Sequence, residues 1–230
     1  MLGIEVFGTP VTLDRCTIIC THEGTTNVTS GVEAIHGSTS QVTMKSCLVR
    51  DFNTDGIDNE GRGTVISCTV QTDFRKSAGR GIFANNVYNS IFHNNSGADL
   101  TVGIRGATAV KHCISYGVDG DDDFTGTETN CFGFSEVDDG FTLPFFDESA
   151  NNFKPVKSSR AYDGGAASVT GSSFELINDL SGRTIDHSKV SIGCFQYSWP
   201  GGSKVNAVLQ AQISKIAGIA STLVAKTIGR

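Results

Sequence analysis

At 230 residues the chain can bury one sizeable core, and two independent domains would be a tight fit. Charged residues make up 18% and hydrophobic ones 38%, and the 27 Gly follow no three-residue period; an acidic disordered chain and a collagen are thereby excluded. A mean hydropathy of −0.08 goes with a sequence lacking the ~18-residue apolar stretch that a membrane-crossing helix needs.

Net charge is −6 overall, and it is unevenly spread. Residues 204–230 carry Lys204, Lys215, Lys226 and Arg230 with no acid, which leaves 14 basic against 24 acidic side chains in residues 1–203. An acidic body repels phosphates, so nucleic acid is not an expected partner. The two parts are read separately: a body over 1–198 and an extension over 199–230.

In chain order, Met1-Leu2-Gly3-Ile4-Glu5-Val6 has neither the basic region nor the apolar core of a signal peptide. Seven cysteines follow, Cys16, Cys20, Cys47, Cys68, Cys113, Cys131 and Cys194, with no CxxC pair for zinc or redox chemistry. Cys16, Cys47, Cys68 and Cys113 each lead a short β-prone run, where a cysteine acts as a small buried hydrophobe. The expectation is reduced, inward-facing thiols.

Those cysteines belong to a repeat. Cys47, Cys68, Ser90 and Cys113 are separated by 21, 22 and 23 residues. A second column runs in step through Ala34-Ile35, Gly56-Ile57, Gly81-Ile82 and Gly103-Ile104. Strands of three to five residues broken by Gly, Asn and Asp are too short for βαβ units, and no helical period is sustained over residues 1–200. A unit of about 22 residues is one coil of a β-solenoid, and two columns in step argue against a β-sandwich. The predicted fold is all-β, a right-handed parallel β-helix, with Gly3-Ile4 already inside a coil. The aromatic-rich stretch from Phe141 to Tyr197 is expected to cap the C-terminal end.

Asn130-Cys131-Phe132, Leu143-Pro144-Phe145-Phe146-Asp147, Ser158-Ser159-Arg160-Ala161-Tyr162-Asp163-Gly164-Gly165, Arg183 and Val190-Ser191-Ile192-Gly193-Cys194-Phe195-Gln196-Tyr197 form an ordered series. It resembles the C-terminal end of pectin-lyase-like right-handed β-helix proteins of bacteria and phages. The likeness spans about residues 30–197 and speaks to architecture. Ser191 and Gln196 stand where that family has Asp and Glu, which removes acidic groups from the terminal motif.

Three sets of side chains are candidates for chemistry. Asp119, Asp121, Asp122 and Asp123 put four carboxylates in five residues, a donor set suited to Ca²⁺ and otherwise an acidic turn. Glycoside hydrolysis needs two carboxylates about 5 Å or about 6.5–9.5 Å apart over one groove. Asp51 and Asp73 are 22 residues apart and could stack; Asp55 and Asp58 flank Gly56-Ile57, with Arg50, Arg75 and Arg80 as partners. Phe74, Phe83, Phe92, Tyr88 and Tyr116 are candidates for stacking on sugar rings. No cofactor other than Ca²⁺ is expected.

The extension follows Trp199-Pro200-Gly201-Gly202. Lys204, Lys215 and Lys226 recur every 11 residues; Leu209, Ile213, Ile216, Ala220, Leu223 and Thr227 are spaced as a helical seam, and Ile219 joins them as an expected assembly residue. Similar Lys-Ile-x-Gly-Ile repeats occur at the ends of phage structural proteins. The segment is expected to dock subunits into a homo-oligomer, with a trimer favoured. The functional expectation is a non-enzymatic structural or adhesive protein. A phage virion component fits best: a tail fibre, spike or capsid-surface decoration protein bound to other virion proteins and in contact with cell-surface glycan. Its location would be the virion, or otherwise the cell surface or the extracellular space. The alternative is a polysaccharide lyase or glycoside hydrolase.

Overall fold

The cysteine column marks a corner of the backbone. In the computed structural model, the residue before each column member stands in the left-handed region: Arg15 (φ 52°), Ser46 (51°), Ser67 (50°), Asn89 (49°), His112 (53°) and Asn130 (53°). Each following thiol or hydroxyl donates across that corner to the carbonyl two residues earlier. The pairs are Cys16–Asp14 at 3.5 Å, Cys47–Lys45 at 3.2 Å, Cys68–Ile66 at 3.4 Å, Ser90–Tyr88 at 2.8 Å, Cys113–Lys111 at 3.3 Å and Cys131–Thr129 at 3.5 Å. A left-handed residue is strained unless its neighbours hold it, and this bond is what holds it.

The described residues are 4–6, 8–19, 32–34, 41–52, 55–72, 79–94, 102–117, 124–134, 145–147, 152–169, 172–173, 176 and 178–196. All fall within one compact unit, Met1–Gln196. They contain no helix, and so no helix long and apolar enough to cross a membrane.

Before the corner run β2 (Val11–Asp14), β5 (Val42–Lys45), β8 (Thr64–Ile66) and the second halves of β10 (Arg80–Tyr88), β12 (Val102–Lys111) and β14 (Phe124–Thr129). After it run β3 (Thr17–Ile19), β6 (Leu48–Arg50), β9 (Thr69–Thr72), β11 (Ile91–Asn94), β13 (Ile114–Tyr116) and β15 (Phe132–Phe134), a six-stranded parallel sheet in that spatial order. A further column holds β1 (Ile4–Val6), β4 (Val32–Ala34), β7 (Ile57–Asp58) and the first halves of β10, β12 and β14. It joins the strands before the corner in one nine-stranded sheet, because β10 and β12 run through both columns with a register shift midway. The chain is therefore a parallel β-solenoid, as the repeat predicted.

Inward positions alternate along each strand and build a single core. Ile57, Ile82 and Ile104 stack in one column and Met44, Val65, Val87 and Val110 in the next. Val49, Val70 and Phe92 face them from the six-stranded sheet, with Cys47, Cys68 and Cys113 at the corner. These groups are withdrawn from water, and their burial is the main stabilising term of the body. In the last rung Glu128 takes the register position of Val110 and is exposed.

One column differs in register from the expectation. The partner of Ile57 in the preceding rung is Val32, not Ile35, and Val32 is in turn the partner of Ile4. Val32 is thus the counterpart of Ile57; Ile35 lies outside the described residues. The column glycines have a packing reason. A methyl on Gly81 would collide with the carbonyl of Gly103 in the next rung and with the ring of Phe92.

Described residues from the expected C-terminal cap, among them Phe153, Ala161, Leu176 and Ile192, pack along the flank of the solenoid. Two antiparallel pairs occur in this region, β16 (Phe145–Asp147) with β17 (Asn152–Pro155), and β18 (Ser168–Val169) with β19 (Ser172–Ser173). Phe153, Ala161, Ile192 and Cys194 cover the outward residues Leu48, Ile91 and Ile114, while Leu176, Ile185 and Val190 cover Ile66. The corner supplies the polar anchors. The side-chain amide of Asn89 donates to the Ala166 carbonyl at 2.6 Å and its oxygen accepts the Ala166 N–H at 2.9 Å. Ser46 donates to the Asn178 carbonyl at 3.3 Å, and the Gly193 N–H reaches the Asn89 carbonyl at 2.7 Å.

Candidate functional site

With one face of the six-stranded sheet covered, the outer face of the first column becomes the place to look for chemistry. Each column isoleucine points inward, so the residue after it points out. Register therefore aligns Asp58, Phe83 and Arg105 in successive rungs. Arg80, at the start of β10, lies beside them. Its Nε is 3.2 Å from Asp55 Oδ1, and its Nη2 donates to Asp58 Oδ2 at 2.6 Å. The Arg80 backbone N–H also donates to Asp55 Oδ1 at 2.9 Å, and the Glu60 N–H to Asp58 Oδ1 at 2.9 Å.

These contacts decide what the carboxylates can do. Burial pushes the Asp55 carboxyl above its ordinary value, and the hydrogen bonds and charge of Arg80 oppose that shift. Asp55 and Asp58 are brought together as expected, yet they share one guanidinium and neither points at open space as an unpaired base. The guanidinium also lies 4.7 Å from the centroid of Phe83, and that of Arg105 lies at 4.7 Å from the same ring. Cation–π contacts thus occupy the aromatic surface.

Asp51, of the other expected pair, lies elsewhere. Asp51 sits at the far end of the six-stranded sheet in the left-handed region (φ 62°), where its Oδ2 accepts from Arg50 Nε at 2.9 Å. Arg50 is in register with Gln71, so the position level with Asp51 is Thr72. Asp73 lies outside the described residues, as do the Asp119, Asp121, Asp122 and Asp123 turn, Arg75, Phe74 and the whole of 199–230. Among the described residues no group of three or more His, Cys, Asp or Glu is placed to hold a metal ion.

The remaining aromatic candidates are occupied. Phe92 is in the core, Tyr88 packs on the Ile66 cluster, and Tyr116 lies 4.8 Å from the ring of His93. The described histidines are structural too. His93 is buried, His112 Nδ1 meets the Gly164 carbonyl at 3.1 Å, and His187 Nε2 meets the Leu176 carbonyl at 2.8 Å. In the family-like terminal series, the Gln196 side-chain oxygen accepts the Ser191 N–H at 2.8 Å and the Gln196 N–H donates to buried Asp179 at 3.0 Å, while Arg183 is exposed. That motif ties the flanking segment to itself and, through the Gly193 N–H to the Asn89 carbonyl and the Cys194 N–H to Thr69 Oγ1, to the solenoid.

Sequence reasoning named Arg80 as a partner and missed Arg105. The signal was present: Arg105 follows Ile104 as Phe83 follows Ile82 and Asp58 follows Ile57. Set against known proteins, the chain matches no family model, no curated protein and no solved structure. The parallel solenoid rests on the strand register alone.

Proposed function

We propose that this chain is a non-enzymatic structural or adhesive β-solenoid, of the kind used in phage virions as a tail fibre, spike or capsid-surface protein. The observation that carries the reading is the Arg80 bridge: the two carboxylates on the outer face of the column share one guanidinium and serve with it as a clamp between rungs. A hydrolase would need one of them free to give or take a proton. The virion assignment is supported by the terminal series that resembles phage β-helix proteins and by the Lys-led repeat over 204–230. Ligand contact on such a body falls to its exposed polar ladders rather than to a catalytic groove.

Light scattering on the full chain, together with a polysaccharide panel, tests this. A stable oligomer, with three subunits favoured, that leaves every glycan intact supports it. Deletion of 203–230 is expected to leave a folded monomeric body. Depolymerisation of any glycan that disappears in Asp55→Asn/Asp58→Asn would replace the proposal with the lyase or hydrolase reading.

A further inference from the structure

The thiol ladder is broken once, at Ser90, and the break isolates a pair. Cys113 and Cys131 occupy equivalent corners in adjacent rungs: Lys111 is in register with Thr129 on one side, and Ile114 with Phe132 on the other. Both corners have φ 53°. Each thiol also lies in the same cradle, Cys113 Sγ at 3.5 Å from the Val87 carbonyl and Cys131 Sγ at 3.3 Å from the Val110 carbonyl. Both therefore point into the core at one inter-strand separation. That spacing, about 4.8 Å between neighbouring strands, falls inside the roughly 4.4–6.8 Å window of Cα separations for a disulfide.

Two asymmetries mark this pair, and the pair Cys16 and Cys47 at the other end of the ladder shares both. Cys113 is fully buried and Cys131 is half-buried, so only one of the two can meet a small oxidant. Among the described residues the rung carrying Cys131 is also paired on one side only, β14 with β12 and β15 with β13. Cys47 and Cys68, in contrast, belong to rungs held from both sides.

We propose that Cys131 and Cys113 form a peroxide-sensitive dithiol, with Cys131 as the thiol that reacts first and Cys113 as the one that resolves it. The Cys131 sulfur attacks one oxygen of hydrogen peroxide. An S–O bond forms, the O–O bond breaks, and the departing hydroxide leaves as water with the thiol proton. Cys113 sulfur then attacks the sulfenic sulfur; the S–S bond forms, the S–O bond breaks, and the second water carries away the Cys113 proton. Two thiols lose two electrons and one peroxide becomes two waters. The ionisation of the first thiol agrees with this order. A hydrogen bond from the Cys113 thiol is the largest cause holding Cys131 down to about 7, against burial and the charge of Glu128. At the other end of the ladder Cys16 is also half-buried, but burial and Cys47 push its thiol up. Ser90 next to Cys113 stops exchange from passing to Cys68.

Treatment of the full reduced chain with hydrogen peroxide at neutral pH, followed by alkylation, digestion and mass spectrometry, tests the proposal. The expected product is a peptide pair joined through Cys113 and Cys131, lighter by two hydrogens and restored by dithiothreitol. Its formation should outpace oxidation at Cys16 by about tenfold, as thiolate fraction governs the rate. In Cys113→Ser, Cys131 should persist as a sulfenic acid that dimedone traps; in Cys131→Ser, Cys113 should stay unoxidised. Ser90 shows that the ladder accepts a hydroxyl at this position. Absence of the joined pair in the unaltered chain, or a Cys131 joined to another cysteine, overturns the idea whatever the variants do.

Discussion

Replacing Arg80 with methionine keeps the length of the side chain and removes the cation that bridges two rungs. Asp55 and Asp58, whose side chains are 14% and 11% exposed in the unaltered chain, would then have no guanidinium between them. Breaking a fully buried pair costs about 3–5 kcal/mol; with this residual exposure Arg80→Met should cost about 2–3 kcal/mol at pH 7. The sign with pH follows from Asp55. Burial already raises its folded value, and loss of Arg80 removes the opposing cause, so the folded value rises further above the unfolded one. Such a group favours the fold below its unfolded value and loses that contribution as the pH climbs through the folded value. The deficit of the variant should therefore shrink as the pH falls toward about 4. Urea denaturation at a series of pH values, read by far-UV circular dichroism, measures it. Arg105→Met removes a guanidinium from the same ring but from neither carboxylate, and should cost only about 0.5–1 kcal/mol. A deficit below about 1 kcal/mol for Arg80→Met, or one that does not change with pH, would refute the clamp.

Three further outcomes are expected. Gly81→Ala should destabilise by about 2–3 kcal/mol in the same assay, because the methyl meets the Gly103 carbonyl and the Phe92 ring, neither of which can withdraw. Asn89→Ala should cost about 2–3 kcal/mol, from a left-handed residue without an amide and two lost bonds to Ala166. Native-state thiol titration with an aromatic disulfide reagent should leave Cys47, Cys68, Cys113 and Cys194 silent until urea is added. Cys194, whose thiol burial pushes up to about 12, should remain silent even at mildly alkaline pH; rapid native reaction of these four would contradict the ladder.

The cysteine column was legible because the corner it marks never changes length. Leu13 to Thr17, Met44 to Leu48, Val65 to Thr69, Val87 to Ile91, Val110 to Ile114 and Glu128 to Phe132 each span four residues, and every one of these positions is in register with its neighbours. The Gly-Ile column was harder. From the first column to the corner the chain takes a different length in each rung, so Ile35 could be mistaken for Val32 by chemical likeness. The covered flank was legible in a different signal: Leu48-Val49 and Ile91-Phe92 place apolar groups on both faces of one strand, a sign that both faces are covered. At the site, the carboxylates and Arg80 could be named from spacing, but which atom holds which is a matter of register across 22 and 25 residues.

The constancy of that one corner divides the solenoid into a part that must keep its length and parts that need not. Successive corner residues, Arg15, Ser46, Ser67, Asn89, His112 and Asn130, lie 31, 21, 22, 23 and 18 residues apart, yet the stacking on either side of them is unbroken. All the variation is absorbed on the way from the six-stranded sheet round to the next corner. Foreign peptides grafted between Ile19 and Val32, or between Thr72 and Gly79, would follow a route along which the chain already varies its length, and the register of the rungs would be preserved. A single residue inserted between Val87 and Ile91 would instead turn a whole strand inside out. The fold is in this sense a scaffold with designated places for evolutionary or engineered novelty.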